Sequence, residues 1–366
     1  MRVTMNSTAA TVAAPSVLVY VGLDLVGDGV LKLPFVRALR AAYPASNLTW
    51  LAGRGPSSYR TSLAPLVTGL LDRVIDRAVP SKAPLHDLRK LVGHRTFDVV
   101  IDTQRGVLNT LALRHLCHGR FVSAAARFLF SDAKPGRDYR RPSALWHQLL
   151  DLLELATGRP NGQAPRLALG EDVTDLARRL LPEPRRRVAI APGAGEARKR
   201  WPITNYLAVA AEQSAAGRVP VILLGPREAS LHGAMQQILP GAVFPLQDPA
   251  AASFGDRPDL TIAITARCDV AVSNDSGCGH MMGASGTPLI SLFGPTDPAK
   301  FAPSSPSLTL LRASEWGRDD MAAIPVDAVL AAIERALARS LTRSTGPMRR
   351  LEPYAAISAW DLTSRA

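Results

Sequence analysis

The chain has 366 residues, 47% of them hydrophobic and 20% charged, which excludes a disordered or fibrous protein and leaves a soluble globular one with room for two domains. The net charge of +12 favours anionic partners, such as phosphorylated substrates or an acidic membrane surface. No zinc finger, zipper or RNP aromatic pattern points to nucleic acid.

The N-terminal stretch MRVTMNSTAATVAAPS lacks the apolar core of a signal peptide. The run VLVYVGLDLVG that follows carries Asp24 and is too short to cross a bilayer. Three cysteines, Cys117, Cys268 and Cys278, form no CxxC pair, so neither a disulfide framework nor a zinc site is expected. The expected location is the cytoplasm.

In chain order, SVLVYVG reads as a buried strand and GVLKLPFVRALRAAYP as a helix beginning near Gly29. NLTWLAG and FDVVIDT are further strands, VLNTLALRHLCHG is helical, and RFVSAA follows it. Strands alternating with helices imply a parallel sheet covered on both faces. Between about Thr157 and Arg187 the pattern weakens into Pro, Gly and charge, a linker with one short helix. The alternation then restarts. RVAIAPG, VPVILLGP, AVFPL, DVAVSND and, last, TPLISLFGP read as strands. Helices are expected at WPITNYLAVAAEQSAAG, REASLHGAMQQILPG and DLTIAITARC, near Gly279, and at Val326–Leu341. The domains are placed at 1–165 and 166–345, with a peripheral tail at 346–366. Ligands of open parallel sheets bind beyond the carboxyl ends of the strands, so the site is expected in the cleft between the two halves.

Four strand ends carry chemistry. In SNDSGCGHMMGASG, the turn Asp275-Ser276-Gly277 leads into a helix whose first N–H groups and dipole form an anion site. Gly277 lets a phosphate approach the backbone, and Ser276 and His280 can donate to it or to a sugar. Asp275 would accept from hydroxyls, unless it only pins the turn. In APGAGEARKRWP, Lys199 beside a glycine-rich loop suits a diphosphate, although GxxxxGK[ST] is absent. Trp201 reads as a packing anchor. In VGLDLVGDGVLKLP, Asp28 stands at a helix start, where it is either a cap or a general base facing the cleft. In LLGPREAS, Glu228 is either a ribose-binding acid or an ordinary first-turn glutamate. FDVVIDTQ places Asp102 and Gln104 at another strand end, where they could line the acceptor side. His86, His94, His115, His118 and His147 form no metal constellation and are read as structural or surface residues.

At these residues the chain resembles the heptosyltransferase family of bacterial glycosyltransferases, glycosyltransferase family 9, from about Val17 to Leu337. The matches are SNDSGCGHMMGASGTPLISLFGPTDP, GEARKRWP, GDGVLKLPFVRALRAAYP and FDVVIDTQ, in order and in spacing. The resemblance implies an α/β GT-B fold, two Rossmann-like domains around a cleft. It implies an inverting, metal-independent transferase without a cofactor. The donor, an ADP-heptose, would bind the C-terminal domain, and a lipopolysaccharide-core glycolipid would approach the N-terminal one, with peripheral contact at the inner membrane. By position Asp28 matches the catalytic carboxylate, Lys199 the phosphate-binding lysine and Glu228 the ribose-binding acid. Asp275, Ser276, Gly277 and His280 match the donor loop. The chain departs from the pattern at Ser276, often Thr, at Cys278, often Leu or Met, and in lacking a basic residue before the first glycines. A non-catalytic nucleotide-sugar-binding protein and a nucleotide-sugar epimerase of the same architecture remain alternatives. A dehydrogenase fits least, since the first glycine turn matches a dinucleotide fingerprint only loosely.

Overall fold

Apolar runs with no polar alternation become strands buried on both faces, as parallel sheets under helical layers require. The computed structural model describes residues 15–78, 85–93, 95–162, 165–182 and 185–344. The first half runs β1 (Ser16–Leu23), α1 (Val26–Ala42), β2 (Asn47–Arg54), α2 (Ala64–Val67), β3 (Arg73–Ile75), α3 (Leu85–Leu91), β4 (Phe97–Asp102), α4 (Val107–Arg114), β5 (His118–Ser123) and α5 (Leu145–Thr157). The second runs α6 (Glu171–Leu180), β6 (Arg187–Ala191), α7 (Ile203–Ala215), β7 (Val219–Ile222), α8 (His232–Ile238), α9 (Pro258–Thr265) and β8 (Val270–Asn274). It continues through α10 (Gly277–Ala284), β9 (Leu289–Phe293), α11 (Pro298–Phe301), β10 (Leu308–Arg312) and α12 (Val326–Ser344).

The sheet orders are β3-β2-β1-β4-β5 and β10-β9-β8-β6-β7, with every named pair parallel. Val19, for example, lies opposite both Trp50 and Ile101. Strand order reverses between β1 and β4 in one sheet and between β6 and β8 in the other. Each reversal leaves a crevice at the carboxyl ends of the two strands.

In the first half, Val19, Val21, Trp50 and Ile101 pack with Phe35 and Leu39 of α1 and Leu152 and Leu153 of α5. Leu18, Tyr20, Val100 and Phe121 pack on the other face with Leu88 and Leu113. In the second half, Ile190, Ile222 and Val272 meet Tyr206, Val209 and Ile333. Ala189, Val221 and Ala271 meet Leu176, Leu260 and Ile264. Pro34 lies inside α1 and withholds one N–H, a cost of about 3 kcal/mol in a free helix. Burial of Val30, Leu33, Phe35, Val36 and Leu39 offsets it, each side chain contributing roughly 1.5–3 kcal/mol. The halves join where α1 meets α10: Ile262, Met281 and Ala284 pack into the first half's cluster.

Several elements differ from the sequence-based expectations. AVFPL is no strand: Val243 makes an isolated bridge to Val221, because Pro245 follows at once and lacks the N–H a ladder needs. The last strand is β10, beyond TPLISLFGP, and its half-exposed face concealed it. α1 begins at Val26 and α10 at Gly277, each earlier than expected, the second because Ser276 caps it. The short helix expected in the linker is α6, whose Val173 and Leu176 pack into the second half's core. The tail at 346–366 and His94 lie outside the described residues. Among the described residues no helix is long and apolar enough to cross a membrane.

Candidate active site

Both crevices open at the same place. Beyond β1, a two-residue link, Asp24-Leu25, feeds α1. Leu25 is the N-cap residue and Asp28 the third residue of the helix. From there the Asp28 carboxylate meets the positive end of the helix dipole. Burial is the largest influence on Asp28 and lifts its pKa above the ordinary Asp value. The Lys32 cation pulls it down, the Asp24 anion pushes it up, and the Leu25 N–H pulls it down.

Across the cleft, Asn274 ends β8 fully buried. Its Oδ1 accepts from the Trp201 N–H at 3.1 Å and the Tyr206 hydroxyl at 2.8 Å. Its Nδ2 donates to the carbonyl oxygens of Pro192 at 2.8 Å and Gly193 at 3.3 Å. One side chain thus bolts the glycine-rich loop after β6 to the end of β8. Trp201 is the packing anchor expected of it, 2% exposed, with its Nε1 donating to the Ile324 carbonyl at 2.9 Å.

Asp275 does not cap α10. Its Oδ2 accepts from Lys199 Nζ at 2.8 Å and from the Thr296 hydroxyl at 2.7 Å, while its own N–H donates to the Leu292 carbonyl at 3.0 Å. The cap is Ser276, whose Oγ accepts from the Gly279 N–H at 3.2 Å, a contact usually worth about 1 kcal/mol. Lys199 thus stands at the α10 N-terminus on a carboxylate leash, its ammonium 5.9 Å from the centre of the Phe301 ring. His280, in the next turn, is half-buried, with its Nδ1 shut off from solvent. Desolvation dominates and lowers its pKa from 6.5 to about 4, against the pull of Asp275 and with help from Lys199. The ring is neutral at neutral pH, and its Nδ1 finds no partner among the described residues.

Two glycines bring the halves together. A Cβ on Gly27 would stand 3.4 Å from the Gly277 Cα and 3.8 Å from His280 Cδ2. The first turns of α1 and α10 therefore meet backbone to backbone, with Asp28 on one and the Asp275–Lys199 pair beside the other. Glu228 closes the rim: a Cβ on Gly193 would lie 2.7 Å from its carboxylate, and Arg200 Nη2 is 4.0 Å from its Oε1.

Asp102 corrects an expectation. It is fully buried, with Oδ2 accepting from the hydroxyls of Thr110 at 2.6 Å and Ser123 at 2.9 Å and Oδ1 from the Gln104 N–H at 2.9 Å. It ties β4 to β5 and α4 and does not line the acceptor side. Burial raises its pKa to about 6, even though those bonds pull the other way. Gln104 remains half-exposed over Gly22. His115 and His118 bond local carbonyls of Leu111 and Leu116, and His147 lies against Trp146 with the rings tilted by 47°. Among the described residues no group of three or more His, Cys, Asp or Glu is placed to hold a metal. Sequence reasoning passed over Asn274 and Thr296, although each is a polar residue at a strand end beside a named motif. It also passed over Asp24 and Lys32, whose pairing is visible only in three dimensions.

The sequence profile described as Glycosyltransferase family 9 (heptosyltransferase) matches residues 85–323. The lipopolysaccharide core heptosyltransferase OpsX of Haemophilus influenzae is 24% identical over 79% of this chain and 82% of its own length. Lipopolysaccharide heptosyltransferase 2 of Escherichia coli is 25% identical over 70% of this chain and 63% of its own. A glycosyltransferase family 9 structure from Veillonella parvula superposes with a TM-score of 0.66 at 19% identity, over 89% of this chain and 97% of that one. The ADP-heptose lipopolysaccharide heptosyltransferase II structure of E. coli gives 0.61 at 19% identity, over 89% and 99%. The fold is the GT-B arrangement of two facing Rossmann-like halves, and with the profile covering residues 85–323, well over half of the chain, the chain belongs to glycosyltransferase family 9, the heptosyltransferase family, and is a glycosyltransferase.

Proposed function

We propose that the chain transfers a heptose from ADP-heptose to a lipopolysaccharide-core acceptor with inversion at the anomeric carbon. The observation that carries this reading is the meeting of the first turns of α1 and α10 through Gly27 and Gly277, which supports Asp28 acting across from a donor held at the α10 helix start. The donor diphosphate would lie at the α10 N-terminus, where N–H groups lack helical partners. Lys199 would exchange part of its bond to Asp275 for the diphosphate. Ser276, Gly277 and His280 would line the donor, with His280 acting as a neutral hydrogen-bonding ring, and Glu228 would accept from ribose hydroxyls.

In the reaction the acceptor hydroxyl oxygen bonds to the anomeric carbon from the face opposite the leaving group. The bond from that carbon to the diphosphate oxygen breaks, and the electron pair leaves with the nucleotide. Asp28 takes the hydroxyl proton. Lys199 and the α10 N–H groups stabilise the charge on the departing diphosphate, so no metal is invoked. Closure of the halves over the donor would keep water from the anomeric carbon.

Leu23, Leu25, Val107, Leu108 and Leu129 are exposed beyond the carboxyl ends of β1, β4 and β5, where an acceptor would approach. Arg105, before α4, and Arg127 and Arg140, between β5 and α5, are exposed as well. Apolar and cationic groups on one rim suit an anionic glycolipid presented at a membrane surface. Flotation with phosphatidylglycerol vesicles at low salt tests this contact, and no binding would remove it.

The main test is incubation with ADP-heptose and a heptose-deficient core glycolipid, reading product mass and anomeric configuration. A product of inverted configuration is expected. Donor converted without acceptor would make the protein an epimerase, and donor bound but never consumed would make it a binding protein.

A further inference from the structure

The link between β1 and α1 contains a second acid that the transfer does not use. Asp24 is 0% exposed. Its Oδ2 accepts from Trp50 Nε1 at 2.9 Å and Ser57 Oγ at 2.6 Å, and its Oδ1 from Lys32 Nζ at 3.0 Å. Its backbone carbonyl accepts from the Ser58 N–H at 3.0 Å. Lys32 Nζ donates again, to the Leu23 carbonyl at 2.6 Å, and its side chain is 14% exposed.

A buried carboxylate is costly unless it is paired and fully hydrogen-bonded. Trp50 and Ser57 could be satisfied by a neutral acceptor, so two of the three donors do not require a charge. Only Lys32 does. Lys32 in turn lies four residues beyond Asp28, on the same face of α1. Asp24 and the Leu23 carbonyl bend its ammonium back toward the start of the helix, where a solvated lysine would otherwise leave for water.

We propose that Asp24 and Lys32 are positioning residues for Asp28: Asp24 pins the ammonium on the Asp28 face of α1, and that fixed cation governs the charge with which Asp28 meets the acceptor. The inference rests on the reading of Asp28 as the base. The other groups around Asp28 offer no substitute. His280, across the Gly27 contact, is neutral at neutral pH. Lys199 is held by Asp275, and Arg60 by Asp76 at 3.3 Å. Ser57, Ser58 and Tyr59 are uncharged, and the Tyr59 hydroxyl donates to the Gly29 carbonyl. Burial and Asp24 both favour a protonated Asp28, and Lys32 is the cation that opposes them.

The experiment follows the Asp28 carboxyl by 13C NMR titration in the full chain, with its signal assigned by loss in Asp28→Asn. The pH profile of kcat/KM is measured beside it. Lys32→Met keeps the side-chain length and removes the charge. In that variant the Asp28 midpoint and the acid limb should both move to higher pH, while donor affinity stays at the wild-type value. Turnover on the acid side should fall about tenfold for each unit the limb moves and recover at higher pH. Lys32→Arg should restore both readouts, which a merely structural role would not require. Lys32→Gln, which also removes the charge, should move them in the same direction as Lys32→Met, and it carries the test if Lys32→Met does not fold. An unmoved midpoint and acid limb in a folded Lys32→Met or Lys32→Gln protein overturn the proposal. If Asp28→Asn itself turns over normally, the base assignment fails instead, so the two failures are separable.

Discussion

Replacing Asp28 by Asn tests the chemistry with the least disturbance of the fold. The carboxylate sits in the first turn of α1, and the nearly isosteric Asn amide can take the same place. The amide loses the favourable charge–dipole contact at the helix start, usually about 0.3–1 kcal/mol. It also relieves the burial of a charge, which is the largest influence on this group. The two changes oppose each other, so the melting temperature should stay within roughly 2–4 °C of wild type. Donor affinity should be unchanged, because the residues assigned to the nucleotide belong to the other half. An amide cannot take the proton of the attacking hydroxyl. Losing a general base costs about 10²–10⁴-fold in rate, or roughly 3–5 kcal/mol of barrier. One preparation suffices for calorimetric melting, donor titration and a transfer assay by mass of product. A stable variant that binds donor and transfers at the wild-type rate would refute the mechanism and leave Asp28 as a cap alone.

Lys199→Ala should weaken donor binding. A charge-assisted phosphate contact is worth about 1.5–3 kcal/mol, and since Lys199 must share itself with Asp275, the lower end, about tenfold in Kd, is expected by calorimetry; an unchanged Kd would remove it from the site. Gly193→Ala places a methyl 2.7 Å from the Glu228 carboxylate and should push that side chain off the rim, lowering affinity for an ADP donor more than for a diphosphate lacking ribose; equal loss for both would end the ribose assignment. His280 should leave a signature in stability. Its pKa falls from 6.5 to about 4 on folding, so between those values the unfolded chain binds the proton and the folded chain does not. Stability therefore drops as pH falls through that window, by up to about 3 kcal/mol. Asp102, raised to about 6, acts in the opposite sense, so the quantity to measure is the difference between wild type and His280→Gln in urea melts at pH 7 and pH 4.5; a difference independent of pH would contradict a buried neutral ring.

Local sequence determined more of the site than of its wiring. Uninterrupted runs such as VLVYV and VAVSN can satisfy their apolar faces only inside a covered parallel sheet, so the α/β class was legible residue by residue. The glycine turns after β1, β6 and β8 were legible too, because a strand end followed by Gly and a helix start is a local pattern. Strand order is a different matter. The reversals between β1 and β4 and between β6 and β8 depend on which distant strands pair, and no window of sequence records that. Short or half-exposed elements such as β3 and β10 fell below the periodic signal. The direction in which a carboxylate faces was likewise undecided. Asp28, Asp102 and Asp275 all follow or end strands, yet tertiary contacts leave the first half-buried at the cleft, bury the second among Thr110, Ser123 and Gln104, and give the third to Lys199. Asp24 looked like a charge spoiling an apolar run. Only packing against Trp50 and Ser57, both remote from it in sequence, together with Lys32 two turns into the next helix, turns it into a buried anchor, because these partners are brought within reach by the fold and not by chain order alone.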